Sequence, residues 1–196
     1  MGLHRAGFDV HGVDIEPQPR FPFNFTQADA IEYVRAHGHE FDLISGGPPC
    51  QRYSLTQRIQ GNEHPDLIGA FRDAAQTTGR PYLIENVEEA RPLLIRPVML
   101  CGYAFSMRTD RHRLFESSVP LFELAHRNHG QRKVKMGRVL QPGDRYHAVG
   151  NFSNVLYVRA DMGVEWMSRE GIRECVPPAY TEFIGRQIIN QLRKTA

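Results

Sequence analysis

The chain has 196 residues, enough for one domain with a sizeable core and a small appended lobe. Hydrophobic residues make up 41% and charged residues 23%, ordinary values for a globular protein, and the formal net charge of +2 excludes a broadly basic surface. No apolar run approaches the ~20 residues that span a bilayer, and MGLHRAGFDV lacks the long apolar stretch of a signal peptide. Three cysteines without a spacing pattern fit a reducing cytoplasm and not a disulfide framework.

In chain order, residues 1–7 read as the end of a helix that stops near Gly7, and 8-FDVHGVDI-15 as a strand with acids at its end. Residues 16–26, rich in Pro and Phe, read as loop. The segment 29-DAIEYVRAH-37 opens on an N-cap residue and predicts a helix. A short apolar strand, 41-FDLIS-45, then runs into a long polar loop. The segment 65-PDLIGAFRDAAQTTG-79 predicts a helix with Pro at its start and Gly at its end, and 81-PYLIENV-87 predicts a strand. This alternation predicts an α/β fold, a parallel sheet with helices on both faces. Beyond it, 98-VMLCGYAF-105 and 111-RHRLFESS-118 are strand-like, and residues 120–160 carry short β-like pieces such as 154-NVLYVRA-160. The last segment, 179-AYTEFIGRQIINQLRKT-195, predicts a helix with Phe183, Ile184, Ile188 and Ile189 on its apolar side.

Ligands of such sheets bind beyond the carboxyl ends of the strands. Three predicted strands end there in functional side chains: Asp14 and Glu16, then Cys50, then Glu85 and Asn86. Cys50 stands in 44-ISGGPPCQRYS-54, where two glycines allow a tight turn and two prolines stiffen it. A thiol presented this way reads as a nucleophile. Cys101 and Cys175 read as small core hydrophobes, and no metal site is expected. On an extended segment Arg111 and Arg113 would share one side, a pair suited to an anion or to carbonyl oxygens.

The run GGPPCQ, then IENV, then RHR resembles the motifs of the DNA cytosine-C5 methyltransferases, in order and at plausible spacing. The end of 8-FDVHGVDIEP-17 is similar to the acidic strand end that holds the ribose of S-adenosylmethionine. Asp29 in 27-QADA-30 matches the acid at the adenine, and 175-CVPPAYTEFIG-185 resembles the helix that packs back on the cofactor site. The resemblance implies a Rossmann-like S-adenosylmethionine-dependent methyltransferase sheet with a small, mostly β target-recognition lobe. It implies a catalytic core over residues 1–118, target recognition over 119–162 and a returning C-terminal segment over 163–196. The implied catalytic set is Cys50, Glu85, Arg111 and Arg113. Cofactor contacts fall on Asp14, Ile15, Asp29, Ala30, Gly47 and Pro49. DNA contacts fall on Pro49, Gln51, Arg52, Ser54 and Asn86, and on Arg132, Lys133 and Lys135 of the basic stretch. The implied partner is double-stranded DNA with a flipped-out cytosine, met by a monomer in the cytoplasm of a bacterium or phage-infected cell, with no metal and no membrane.

The pattern departs from the family in three places. No segment matches its first strand or the Phe-x-Gly-x-Gly loop after it, so the centre of the sheet is expected to carry a gap. An internal methionine taken as the start, a degenerate phage-type chain or another segment filling the gap would each account for this. Residues 173-REC-175 stand where the family has Gly-Asn, and Arg52-Tyr53 where it often has Gly-Phe. The alternatives to a DNA methyltransferase are an inactive nucleic-acid-binding remnant and an enzyme acting on RNA cytosine.

Overall fold

The computed structural model describes residues 1–49, 67–126, 129, 133–134, 138–139, 141–148 and 152–195. Its contacts divide the chain into two compact units. One comprises Met1–Val10, Leu100–His112 and Glu123–Ala196, and the other His11–Met99 and Arg113–Phe122.

In the second unit, β1 (His11–Asp14) pairs in parallel with β2 (Asn24–Gln27), with Val13 opposite Thr26. Of these, residues 24–26 are expected as loop. Their strand is short and follows a Pro- and Phe-rich run, so it declares itself only through its partner, aided by a 2.9 Å hydrogen bond between His11 Nε2 and Thr26 Oγ1. Helix α2 (Ala30–His37) starts where Asp29 accepts hydrogen bonds from the Ile31 and Glu32 N–H groups, which satisfies two of the orphan donors of its first turn. After it come β3 (Ile44–Gly46), α3 (Leu67–Thr77) and β4 (Tyr82–Asn86), then β5 (Val98–Cys101), whose last two residues count with the first unit, and β6 (His112–Ser117), whose first residue does.

The last four strands form a sheet in the order β3-β4-β6-β5. β3 and β4 run parallel, but β4 and β6 run antiparallel, so the sheet is mixed and not all-parallel as expected. No α-helix lies between β4 and β6, and a parallel pairing would need such a crossover. Strand β5 also stops at Cys101, short of the expected residue 105. Gly102 opens a tight turn in which a Cβ would come within 2.3 Å of the Thr109 carbonyl. Ile68 and Phe71 of α3 pack with Ile44, Ile84 and Leu114 of the sheet.

In the first unit, α1 (Gly2–Ala6) ends at Gly7, whose φ of 109° is left-handed, and lies against α6 (Pro178–Thr195). Two short strands, β7 (Lys133–Val134) and β8 (Arg145–Tyr146), pair in parallel. Residues 154–160 are expected as β-like, but 155–162 form helix α4 (Val155–Met162). Val158 and Met162, four apart, are both fully buried, and this helical period outweighs the β preference of the two valines and the tyrosine. A further helix, α5 (Arg169–Glu174), is capped by Ser168, whose side chain accepts from the Gly171 N–H. No helix among the described residues is long and apolar enough to cross a membrane.

A largely buried ion pair of the second unit joins α3 to β6. Arg72 reaches Glu116 through two bonds of 2.6 and 2.7 Å, while the Ile95 N–H at 2.7 Å and the Tyr82 hydroxyl at 3.2 Å also donate to this carboxylate. Burial alone would raise the Glu116 pKa, but the Arg72 bonds and then the Ile95 N–H outweigh it and hold the carboxyl below its ordinary range. A depressed carboxyl contributes stability above its unfolded value near 4.5 and loses it as the pH falls through the folded value. Glu116→Gln should therefore cost on the order of 3 kcal/mol at pH 7. In urea unfolding at pH 4 the gap between variant and parent should narrow.

Candidate active site

Four residues explain why a Gly-Gly-Pro-Pro turn follows β3. A Cβ on Gly46 would lie 2.3 Å from the Phe71 ring, so this position must lack a side chain for α3 to close on the strand. A Cβ on Gly47 would stand 3.2 Å from Glu85 Oε2. Asn86, 2% exposed, donates from Nδ2 to the Pro48 carbonyl at 3.0 Å and accepts from the Val87 N–H at 2.9 Å. The end of β4 thus fastens the turn that leaves the end of β3. The glycines are required here for close approach, not for a left-handed backbone. Cys50, Gln51, Arg52 and Ser54 lie outside the described residues, and the turn is described as far as Pro49.

Glu85, at the same strand end, forms a 2.8 Å ion pair between Oε1 and the Nε of Arg113. The side chains are 18% and 11% exposed, so the pair is largely withdrawn from water but reachable. Of the expected catalytic set, the structure brings these two together. Arg111 behaves otherwise. It precedes the first residue of β6, and its guanidinium donates to the carbonyls of Arg173 at 2.6 Å, Cys175 at 2.8 Å and Ala148 at 3.3 Å. With 2% exposure it is a clamp on the segment entering α6. The expectation of paired guanidiniums on one side assumed a single extended segment, whereas the strand begins only at His112.

A cavity of about 510 Å³ lies in the second unit. The six residues expected to contact a cofactor, Asp14, Ile15, Asp29, Ala30, Gly47 and Pro49, all line it. Both β1 and β3 border it, and among the described residues no strand bridges them: β1 pairs only with β2, and β3 only with β4. Asp14 holds the chain that follows β1, accepting from the Glu16 N–H at 2.9 Å and the Gln18 side chain at 3.1 Å. Sequence reading missed the aromatic contribution to this wall: His11 stacks on Tyr33 with ring centroids 5.9 Å apart, and both line the cavity. His11 stands before the acidic end of its stretch and Tyr33 in no motif, and a β1 side chain meets an α2 side chain only in the folded unit. Of the expected DNA contacts, Lys133 has its backbone in β7, while Arg132 and Lys135 lie outside the described residues.

The chain matches no known family profile and no curated protein sequence. It does share its fold with a solved structure described as a "putative DNA modification methyltransferase encoded within prophage" of E. coli. That likeness has a TM-score of 0.62 at 16% identity, and it covers 98% of this chain and 95% of the other. The α/β architecture, with its mixed sheet, is thus one that also occurs in a protein described as a DNA-modifying methyltransferase.

The buried Asn86 bond gives the site its first test. In Asn86→Ala the Pro48 carbonyl loses its donor in a buried place, at a cost of about 2 kcal/mol. Urea unfolding should report that loss, and amide exchange should accelerate over residues 44–47, the part of the run that carries backbone N–H groups.

Proposed function

We propose that this chain transfers a methyl group from S-adenosylmethionine to C5 of a flipped-out cytosine in DNA, through a transient bond from Cys50 to C6. The observation that carries the reading is the Glu85–Arg113 pair, which stands over Gly47, three residues before Cys50, at the end of β4. A carboxyl and a guanidinium side by side match the N3 and O2 edge of a cytosine, and a stiff turn beside them carries a thiol. The fold shared with a described DNA modification methyltransferase supports the same class.

The chemistry follows from the base. C5 of cytosine is a weak nucleophile. Addition of the Cys50 thiolate to C6 breaks the C5–C6 double bond and sends its electron pair into the ring; Glu85, which takes up a proton from solvent as the entering base draws Arg113 to O2, passes that proton to N3 and neutralises the charge. Arg113 holds O2 and keeps the base in register. C5 is then enamine-like and can take the methyl group. Loss of the C5 proton to a base restores the double bond and expels the Cys50 thiolate. In a duplex, stacked neighbours cover the ring faces through which C6 and C5 react, and N3 is held in the base pair, so the cytosine must leave the stack.

When bound, the cofactor supplies an electrophilic sulfonium methyl group. The cavity fits its adenosine part: at about 510 Å³ it has the size of a small-molecule site. Asp14 offers carboxylate oxygens to ribose hydroxyls, and Ile15 an apolar side chain to the adenine. Oδ1 of Asp29 already accepts the Ile31 and Glu32 N–H groups, which leaves Oδ2 for the adenine amine. The basic stretch that includes Arg132, Lys133 and Lys135 would bind phosphates, with an affinity that falls as salt rises. A second reading, a binding protein without catalysis, draws support from the break between β1 and β3.

DNA bearing 5-fluorocytosine separates the two. Fluorine at C5 blocks the final proton loss, so a working enzyme stays bonded to the DNA in the presence of S-adenosylmethionine. An SDS-resistant adduct is expected from the chain and absent from Cys50→Ala. Gly47→Ala, which crowds Glu85, should lower the adduct yield on the order of tenfold. No adduct while DNA binding persists would leave the binding protein. An adduct surviving in Cys50→Ala would overturn Cys50 as the nucleophile.

A further inference from the structure

A second constellation lies wholly within the first unit and plays no part in methyl transfer. Cys101 ends β5, His112 begins β6, and His126 and His129 follow as an H-x-x-H pair. The Cys101 Sγ lies 3.0 Å from His129 Nε2. His112 Nε2 is 3.2 Å from His126 Nε2 and 3.3 Å from His129 Nε2, and the last two are 3.2 Å apart. All four ligand atoms lie within 4.8 Å of one another.

Hydrogen bonding among the histidines cannot account for this triangle. Each Nε2 carries either a proton or a lone pair. Of three mutually touching atoms, at least two must therefore be alike, so one contact sets proton against proton or lone pair against lone pair. A cation at the centre removes the conflict, because all three atoms then direct lone pairs at it. Tetrahedral zinc with Zn–N bonds of 2.0–2.1 Å places its nitrogens about 3.3–3.4 Å apart, close to the spacing observed.

We propose that Cys101, His112, His126 and His129 bind one Zn²⁺ ion. One thiolate and three imidazoles form a borderline-soft set that suits zinc better than calcium or magnesium, which take oxygen ligands. The Cys101 thiol gives up its proton to solvent as the sulfur joins the metal. Four protein ligands close the coordination sphere, so the ion is structural and activates no water. The surroundings fix the ligands. The Tyr103 ring stacks on His129 at 5.7 Å and 11°, and the Arg145 guanidinium covers Tyr103 at 4.8 Å from its centroid. Buried Asp110 acts electrostatically on His129 and offsets the single positive charge left on a Zn–Cys–His₃ centre. The ion ties the start of the basic stretch at residues 126–129 to the ends of β5 and β6. Sequence reading missed the set because its members come from three separated segments, and a single H-x-x-H pair is weak by itself.

The test uses the full chain purified without chelator. Mass spectrometry of metals should find one zinc per chain after gel filtration. Replacement by Co²⁺ should give the intense visible bands of a tetrahedral centre and a near-ultraviolet thiolate-to-metal band. Cys101→Ser should abolish the latter. His126→Asn, at an exposed position where folding survives, should weaken zinc binding on the order of a hundredfold. His37→Asn, an exposed histidine outside the cluster, should change nothing. A chain with no retained zinc and no tetrahedral cobalt spectrum would overturn the proposal. So would cobalt bands that persist unchanged in both Cys101→Ser and His126→Asn.

Discussion

The antiparallel register between β4 and β6 is the constraint on which the rest of the second unit depends. Glu85 stands opposite Phe115, and Ile84 opposite Glu116. Side chains alternate faces along each strand, so Arg113, two residues from Phe115, shares a face with Glu85 and meets it diagonally. Glu116 falls on the other face with Ile84 and Tyr82, where Arg72 of α3 reaches it. One register therefore builds both ion pairs and assigns them to opposite sides of the sheet. A slip of one residue would place Glu85 and Arg113 on different faces and would turn Glu116 away from α3. The hydrophobic packing of Ile84 and Leu114 opposes that slip.

From β4 the constraint passes to the turn after β3. Parallel pairing sets Gly46 opposite Ile84, which brings the Gly-Gly-Pro-Pro turn level with Glu85 and Asn86. The buried Asn86 amide then holds the Pro48 carbonyl. Two prolines limit the backbone, Phe71 permits no Cβ at Gly46, and the turn keeps one path as far as Pro49. On the other side of β3 lies the cavity it shares with β1, with acids at one strand end and aromatic rings along the wall. Strands β1 and β3 belong to separate sheets, and both border this space.

The residues of the site divide by the kind of work they do. Glu85 and Arg113 carry opposite charges on partly exposed side chains. Asn86 and Arg111 are buried on backbone carbonyls and hold segments in position. Both kinds sit within the same short motifs, IEN and RHR, where a polar side chain near a strand end looks the same whether it faces a ligand or a loop.

The sequence by itself determined what depends on neighbours along the chain. Asp29 caps α2 because its carboxylate needs only the next two or three N–H groups. The α6 helix shows its period in Ile184 and Ile188, and the Gly-Gly-Pro-Pro turn is visible because glycines free their own backbone and prolines restrict theirs. Only the tertiary structure decided what depends on partners far along the chain. Strand β2 exists through β1, residues 155–162 are helical because one face is buried, and β6 runs antiparallel because no crossover precedes it. The Glu85–Arg113 pair, the carbonyl clamp of Arg111 and the cluster of Cys101 with three histidines each join segments that carry no mark of one another. Local propensity is encoded residue by residue, whereas a contact across tens of residues is a property of the packed chain.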